Sequence, residues 1–229
     1  MIPRRMESER IVCDSKDLPA LAARRIALEL SRAIDERGRA SLALAGGTTP
    51  KATYEALAGL PLDWQALDIF FGDERCVPAD HPDSNYRMAK AALFDRVTIP
   101  TDRVHRIQGE LADYDAAARA YEASLPDRLD VVVLGIGEDA HTASLFPGAP
   151  ALRETVRRVL PVTGPKPPPQ RISLTPPALR AARTCIVLAA GAGKTEAVRR
   201  AFGSEVDIVT TPVQLALGGV WILDNAAAS

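Results

Sequence analysis

Asp130-Val131-Val132-Val133-Leu134-Gly135-Ile136 is the stretch on which the fold turns. Four apolar residues follow one another without polar alternation, and three of them are β-branched. A run of that kind suits a strand buried on both faces, and such strands belong to parallel sheets covered by helices on each side. Working outward, the same alternation of short apolar run and amphipathic segment recurs along the chain. Residues 18–37 place Leu21, Ala22, Ile26, Leu30, Ala33 and Ile34 on one helical stripe that Gly38 stops. Residues 41–45 are a strand candidate broken by Gly46-Gly47, with Thr49 as N-cap and Pro50 at the first helical position of a helix running to Leu57.

Further strands are expected at 67–71, 156–162, 185–189, 206–209 and 220–223, with a minor one at 104–107. Helices are expected at 86–94, 114–125, 176–182, 194–202 and 212–217, and a helical turn at 142–146. Residues 72–85 and the Pro-rich 165–169 read as loops. No repeat or linker interrupts the series, so the expectation is one α/β domain over residues 1–229 with right-handed crossovers.

Composition narrows the function. The chain has 229 residues, 28 Lys+Arg against 29 Asp+Glu and a formal net charge of -1. That balance argues against a nucleic-acid partner, which needs an electropositive face. The pairs Arg4-Arg5, Arg24-Arg25, Arg157-Arg158 and Arg199-Arg200 are far apart in sequence and fit solvated helix faces. No run approaches the ~18 apolar residues of a membrane span, and the start at Met1-Ile2-Pro3 lacks a secretory core. Cys13, Cys76 and Cys185 form neither a zinc pattern nor a disulfide framework, which suits a cytoplasmic setting.

In open α/β sheets ligands sit beyond the carboxyl ends of the strands, so chemistry is expected in the segments that follow them. Gly46-Gly47-Thr48-Thr49 fits either an anion site at a helix start or a plain tight turn; it is no dinucleotide fingerprint. Asp73, Glu74 and Arg75 follow the 67–71 strand and fit ligand contacts or a salt bridge. Asp139 and His141 follow the Val-rich strand, where His141 is the candidate proton acceptor and Asp139 its orienting group, or where a loop histidine is simply satisfied. Gly191-Ala192-Gly193-Lys194 is not a nucleotide P-loop, because Leu188 stands where that motif needs glycine. Lys194 remains either a single phosphate contact or a surface lysine. Arg171, after Pro167-Pro168-Pro169, could hold a phosphate in bidentate fashion. His81 among Asp80 and Asp83 has no second histidine at ligand spacing, so no metal is expected there. A Gly-x-Ser-x-Gly elbow is absent. The composite suggests a small phosphorylated substrate with proton chemistry at His141.

Several stretches together resemble the glucosamine-6-phosphate isomerase/6-phosphogluconolactonase family. They are Leu44-Ala45-Gly46-Gly47-Thr48-Thr49-Pro50, Phe71-Gly72-Asp73-Glu74-Arg75-Cys76-Val77-Pro78 and His81-Pro82-Asp83-Ser84-Asn85-Tyr86. To these add residues 135–148, with His141-Thr142-Ala143-Ser144-Leu145-Phe146-Pro147-Gly148 the most specific part, then residues 166–172 and 191–194. The resemblance covers nearly the whole chain in order. It implies a Rossmann-like three-layer α/β/α sandwich around a mainly parallel sheet, like that of ribose-5-phosphate isomerase. It also implies hydrolysis of 6-phospho-D-glucono-1,5-lactone in the oxidative pentose phosphate pathway, without cofactor or metal, on a sugar phosphate as the partner molecule, by a monomer or weak homodimer. By the same resemblance His141 is the general base, and Asp73 and Arg75 order the base, the substrate hydroxyls or the oxyanion. Arg171 and Lys194 then clamp the phosphate above the Gly46 to Thr49 turn. At position 140 the family usually has glycine and this chain has Ala140, a methyl that strains the loop if the backbone there needs positive φ. Glucosamine-6-phosphate deaminases carry an acidic residue in the stretch after their histidine, and residues 142–147 here contain none. A non-catalytic sugar-phosphate sensor would have no need of His141 and Asp73 together.

Overall fold

The computed structural model describes residues 8–229. The Arg4-Arg5 pair and the reading of the first residues as leaderless lie outside them. The strands β1 (Glu9–Cys13), β2 (Ala40–Leu44), β3 (Leu67–Phe71), β5 (Val131–Gly135), β8 (Thr184–Ala189) and β9 (Val220–Asp224) form one sheet in the order β1-β9-β8-β5-β2-β3. Every pairing in it is parallel. The Val-rich stretch is the central β5, and Val131 to Leu134 are fully buried.

Helices cover both faces, and neighbouring residues on β3 show how. Phe71 turns its ring to Tyr86 of α3 (Asn85–Ala92) and to Phe94, while Phe70 meets Tyr121 of α4 (Tyr114–Ser124) on the other face. Successive strand residues point to opposite faces, so one apolar pair serves two layers. The helices α1 (Leu18–Arg37) and α2 (Thr48–Leu57) pack on each other, and α2 also packs on α3. Two buried tyrosines satisfy backbone that the sheet leaves open. The Tyr121 hydroxyl accepts from Phe71 N and donates to Phe71 O on the edge strand β3. The Tyr54 hydroxyl does the same for Ala45 at the end of β2.

A second, antiparallel sheet of three strands, β4 (Asp73–Arg75), β7 (Gln170–Leu174) and β6 (Val159–Thr163), sits past the end of β3. Gly72 joins the two sheets: its N–H donates to Leu44 O and its carbonyl accepts from Leu174 N, both at 2.8 Å. The helices α5 (Pro176–Ala181) and α6 (Thr195–Ala201) complete the architecture.

Several expected elements take another form. The α2 helix starts at Thr48 behind Gly47, whose φ of 109 a threonine cap does not adopt, and Pro50 falls at the third helical position, still within the first turn, where no N–H is needed. Residues 142–146 are a tight turn closed by a Thr142–Leu145 bridge, with Ala143 at φ 48 preventing a helical turn. Residues 206–209 are turn rather than strand, because the Asp207 carboxylate accepts from Val209 N and Thr210 Oγ1. Residues 104–107 contribute a single parallel bridge, Val104 to Ile69. Pro212–Ala216 is a 3-10 helix. Among the described residues no helix is long and apolar enough to cross a membrane.

Candidate active site

All six parallel strands end at one rim, and the loops leaving β2, β3, β5 and β8 meet there around a cleft of about 220 Å³. Its walls include Gly46, Gly47, Asp73, Arg75, Asn85, His141, Arg171 and Lys194. Thr48 and Thr49 open α2 next to it without lining it.

His141 is set by the turn that leaves β5. Gly137 N–H donates to His141 O and Ala140 N–H to Gly137 O, each at 2.9 Å. The Asp139 Oδ1 atom takes the His141 backbone N–H at 3.1 Å and the ring Nδ1 at 2.5 Å. Only glycine fits at 137, since a Cβ there would lie 2.0 Å from His141 Nδ1 and 2.5 Å from Asp139 Oδ1. Ala140 sits at φ 70, so the position does need the left-handed backbone expected of glycine. Burial works to raise the Asp139 carboxyl, but the hydrogen bonds from His141 outweigh it and hold it below the usual carboxylate range. A proton on Nδ1, shared with the ionised Asp139, would leave the second ring nitrogen of this cleft-lining histidine as an acceptor.

The residues after His141 explain their own identities. Thr142 Oγ1 donates back to Gly135 O at 2.8 Å. Ser144 Oγ donates to Asp73 Oδ2 at 2.5 Å, and its N–H donates to Ser173 Oγ. Asp73 therefore makes no hydrogen bond to His141 itself; it docks the loop that bears His141 onto β4. Its other oxygen and its carbonyl accept from Asn85 Nδ2. Asn85 in turn presses on Gly46, where a Cβ would fall 2.0 Å from its Oδ1.

Cations face the opposite wall. In the β4–β7 ladder Arg75 lies directly across from Arg171, a like-charge pairing that costs stability unless an anion sits between. Arg171 is buried and bonds only the Pro168 and Lys166 carbonyls, at 3.2 and 3.4 Å. Desolvation lowers its pKa, with Asp73 acting the other way. Arg75 donates to Asp83 O, and its Nε is buried with no partner among the described residues. Lys194 closes the 3-10 turn Ala192–Lys194 on the third side.

Two further carboxylates position the walls of the cleft: Glu74, which the sequence left open between a ligand contact and a salt bridge, and Asp224, which it did not single out. Glu74 is buried and accepts from Arg75 N, Asn85 N, Tyr86 N and Ser84 Oγ, anchoring the start of α3 beside the cleft. Burial raises its pKa despite those donors. Asp224, at the end of β9, takes Gly191 N–H on both oxygens and Ala227 N–H, and so fixes the turn that carries Lys194. The signal for Asp224 was a lone acid at a strand end, indistinguishable in sequence from a solvated one. No group of three or more His, Cys, Asp or Glu among the described residues is arranged to hold a metal ion.

Residues 13–221 match the model of the family glucosamine-6-phosphate isomerases/6-phosphogluconolactonase. The chain is 42% identical to a 6-phosphogluconolactonase of Streptomyces coelicolor, over 96% of this chain and 93% of that one. It is 40% identical to that of Synechocystis sp., over 88% and 89%. Among solved structures, the 6-phosphogluconolactonase of Trypanosoma brucei superposes with TM-score 0.86 at 32% identity, over 97% of this chain and 98% of that one. A monomeric glucosamine-6-phosphate deaminase shares the fold, with TM-score 0.82 at 22% identity, over 96% and 98%. The chain therefore belongs to the family of glucosamine-6-phosphate isomerases and 6-phosphogluconolactonases.

Proposed function

We propose that this protein is a 6-phosphogluconolactonase that hydrolyses 6-phospho-D-glucono-1,5-lactone to 6-phosphogluconate, with His141 as general base. The observation that carries the reading is the meeting, in one small cleft, of the His141–Asp139 pair with Arg75, Arg171 and Lys194. The relatives with the highest identities quoted above bear the lactonase name and support the same reaction.

In the reaction, Arg75, Arg171 and Lys194 hold the phosphate, which places the lactone carbonyl toward His141. The free imidazole nitrogen takes a proton from water as its oxygen attacks C1, and Asp139 stabilises the imidazolium that forms. The C1–O5 bond then breaks, and the proton passes from His141 to the departing ring oxygen. Gly46 and Gly47, in the turn that leads into α2, offer backbone N–H groups to negative charge near the positive end of the helix dipole. The lactone is already reactive, so orientation and one base suffice.

Proton release from freshly made 6-phosphogluconolactone, measured beside ammonia release from glucosamine 6-phosphate, tests this. The expected result is lactone loss well above the spontaneous rate. His141→Ala should lower kcat by about 10²-fold or more with KM little changed. An intact kcat in that variant sinks the base assignment, and ammonia release without lactonase activity replaces the reaction.

A further inference from the structure

One side chain touches both ends of the proposed chemistry and belongs to neither. The Phe146 ring lies 4.6 Å from the His141 imidazole, centroid to centroid and tilted by 39°. The Arg171 guanidinium carbon stands 5.6 Å from the centroid of the same ring. The ring is buried, and its outer edge is covered by Gly164 in the loop between β6 and β7. A Cβ at Gly164 would come within 2.7 Å of Phe146 Cε2, 3.0 Å of Cζ and 3.3 Å of Arg171 Nε. The base, the ring, the guanidinium and the glycine thus form one packed stack.

We propose that Phe146 is a positioning residue that fixes the distance between phosphate clamp and base, and so selects for a phosphorylated lactone of one length. The inference rests on the lactonase reading for its substrate, and its physics is independent of it. Among the described residues the buried Arg171 side chain has no ion pair, and two long carbonyl hydrogen bonds and the ring face hold it in place. Among the described residues the His141 imidazole is hydrogen-bonded at Nδ1 alone, and the ring limits its swing about that tether. A substrate pinned by its phosphate at Arg171 cannot follow a base that has moved; an unphosphorylated lactone can.

Phe146→Leu and Gly164→Ala probe the stack from its two sides, the second by pushing the far end of the ring rather than by removing it. Each is compared with the parent on 6-phosphogluconolactone, on glucono-1,5-lactone and, by calorimetry, on inorganic phosphate. The ratio of kcat/KM between phosphorylated and unphosphorylated lactone should fall about tenfold or more in both variants, as small misplacements of a bound substrate do. The rate on glucono-1,5-lactone should stay within about threefold, since that substrate is not pinned. An unchanged ratio, or equal losses on both lactones, overturns the proposal. If the parent hydrolyses neither lactone, the lactonase reading fails by itself and Phe146 is judged on calorimetry. Weaker inorganic phosphate binding in Phe146→Leu then supports the stack, and undiminished binding overturns it. Should one variant fail to fold, the other decides alone.

Discussion

Ala140 is fully buried and held at φ 70, between Asp139 and the His141 that Asp139 hydrogen-bonds. Its own N–H closes the turn on Gly137 O, and its carbonyl accepts from Val213 N, so the left-handed conformation is fixed from both sides. A non-glycine residue there carries a penalty of roughly 1–2 kcal/mol. Glycine would relieve it but would lose a buried methyl and add chain entropy to the unfolded state, each worth about 0.5–1 kcal/mol. The opposing terms nearly cancel, which explains why alanine is tolerated. Ala140→Gly should accordingly change stability by less than about 1 kcal/mol. Ala140→Val, β-branched at positive φ in a closed space, should cost about 3 kcal/mol or more and lower kcat by disturbing the Asp139–His141 bond. Thermal melts and initial rates on the two variants check both halves; a stable, fully active valine variant would show that the turn is not rigid.

At the scale of elements, the site's phosphate wall depends on a strand that contributes no residue to the cleft. β9 ends in Asp224, whose carboxylate holds Gly191, and Gly191 at φ 92 directs the turn to Lys194. Burial acts to raise this carboxyl, but backbone N–H groups of Ala227 and Gly191 and the Ser15 hydroxyl hold it below the ordinary aspartate value. A depressed folded-state pKa means stability that is present above the unfolded value of about 3.9 and is lost as pH falls through the folded one. Asp224→Asn should therefore lower stability near neutral pH by about 1–3 kcal/mol. The deficit should shrink in acid, and KM for the phosphorylated lactone should rise. A deficit constant from pH 7 into the acid range would assign the loss to packing instead. The elements that sequence reading found and missed divide on the same physics. β2, β3, β5 and β8 announce themselves because both faces bury apolar side chains. β4 is Asp73-Glu74-Arg75, three charged residues that read as loop and become strand only because Ser144, Asn85 and the start of α3 satisfy them. β7 hides behind a Pro-rich run, although its period of two is plain once placed: Arg171 lines the cleft and Ser173 receives the Ser144 N–H, while Ile172 and Leu174 are buried in the core. The cleft positions of His141, Arg75 and Lys194 were legible because their segments follow apolar runs, and that of Arg171 only through the rigid Pro167-Pro168-Pro169 run before it. The direct opposition of Arg75 and Arg171 was not, since it depends on an antiparallel register between segments nearly 100 residues apart.

Over the whole molecule, the chain's described ends meet: β1 pairs with β9, and β9 lies between β1 and β8. The smaller sheet is no separate unit either, because Gly72 is bonded to Leu44 in one sheet and Leu174 in the other. The Ser144–Asp73 bond then ties the base-bearing loop to β4. Contacts that link every segment of the site to both sheets leave no boundary at which one part could melt alone. Residues 8–229 should unfold as a single domain in one cooperative step. Trp221 is fully buried in β9, so in a Trp64→Phe background its fluorescence reports the large sheet. Activity reports the cleft where the two sheets join, and far-ultraviolet circular dichroism reports the helices. The three signals should fall together on heating or in denaturant. Removing residues 220–229 should abolish the folded state altogether, since it strips the strand between β1 and β8 and releases the Lys194 turn. Loss of activity well before loss of Trp221 burial, or a truncated chain that still hydrolyses lactone, would divide the molecule into two units and place the site in the smaller one.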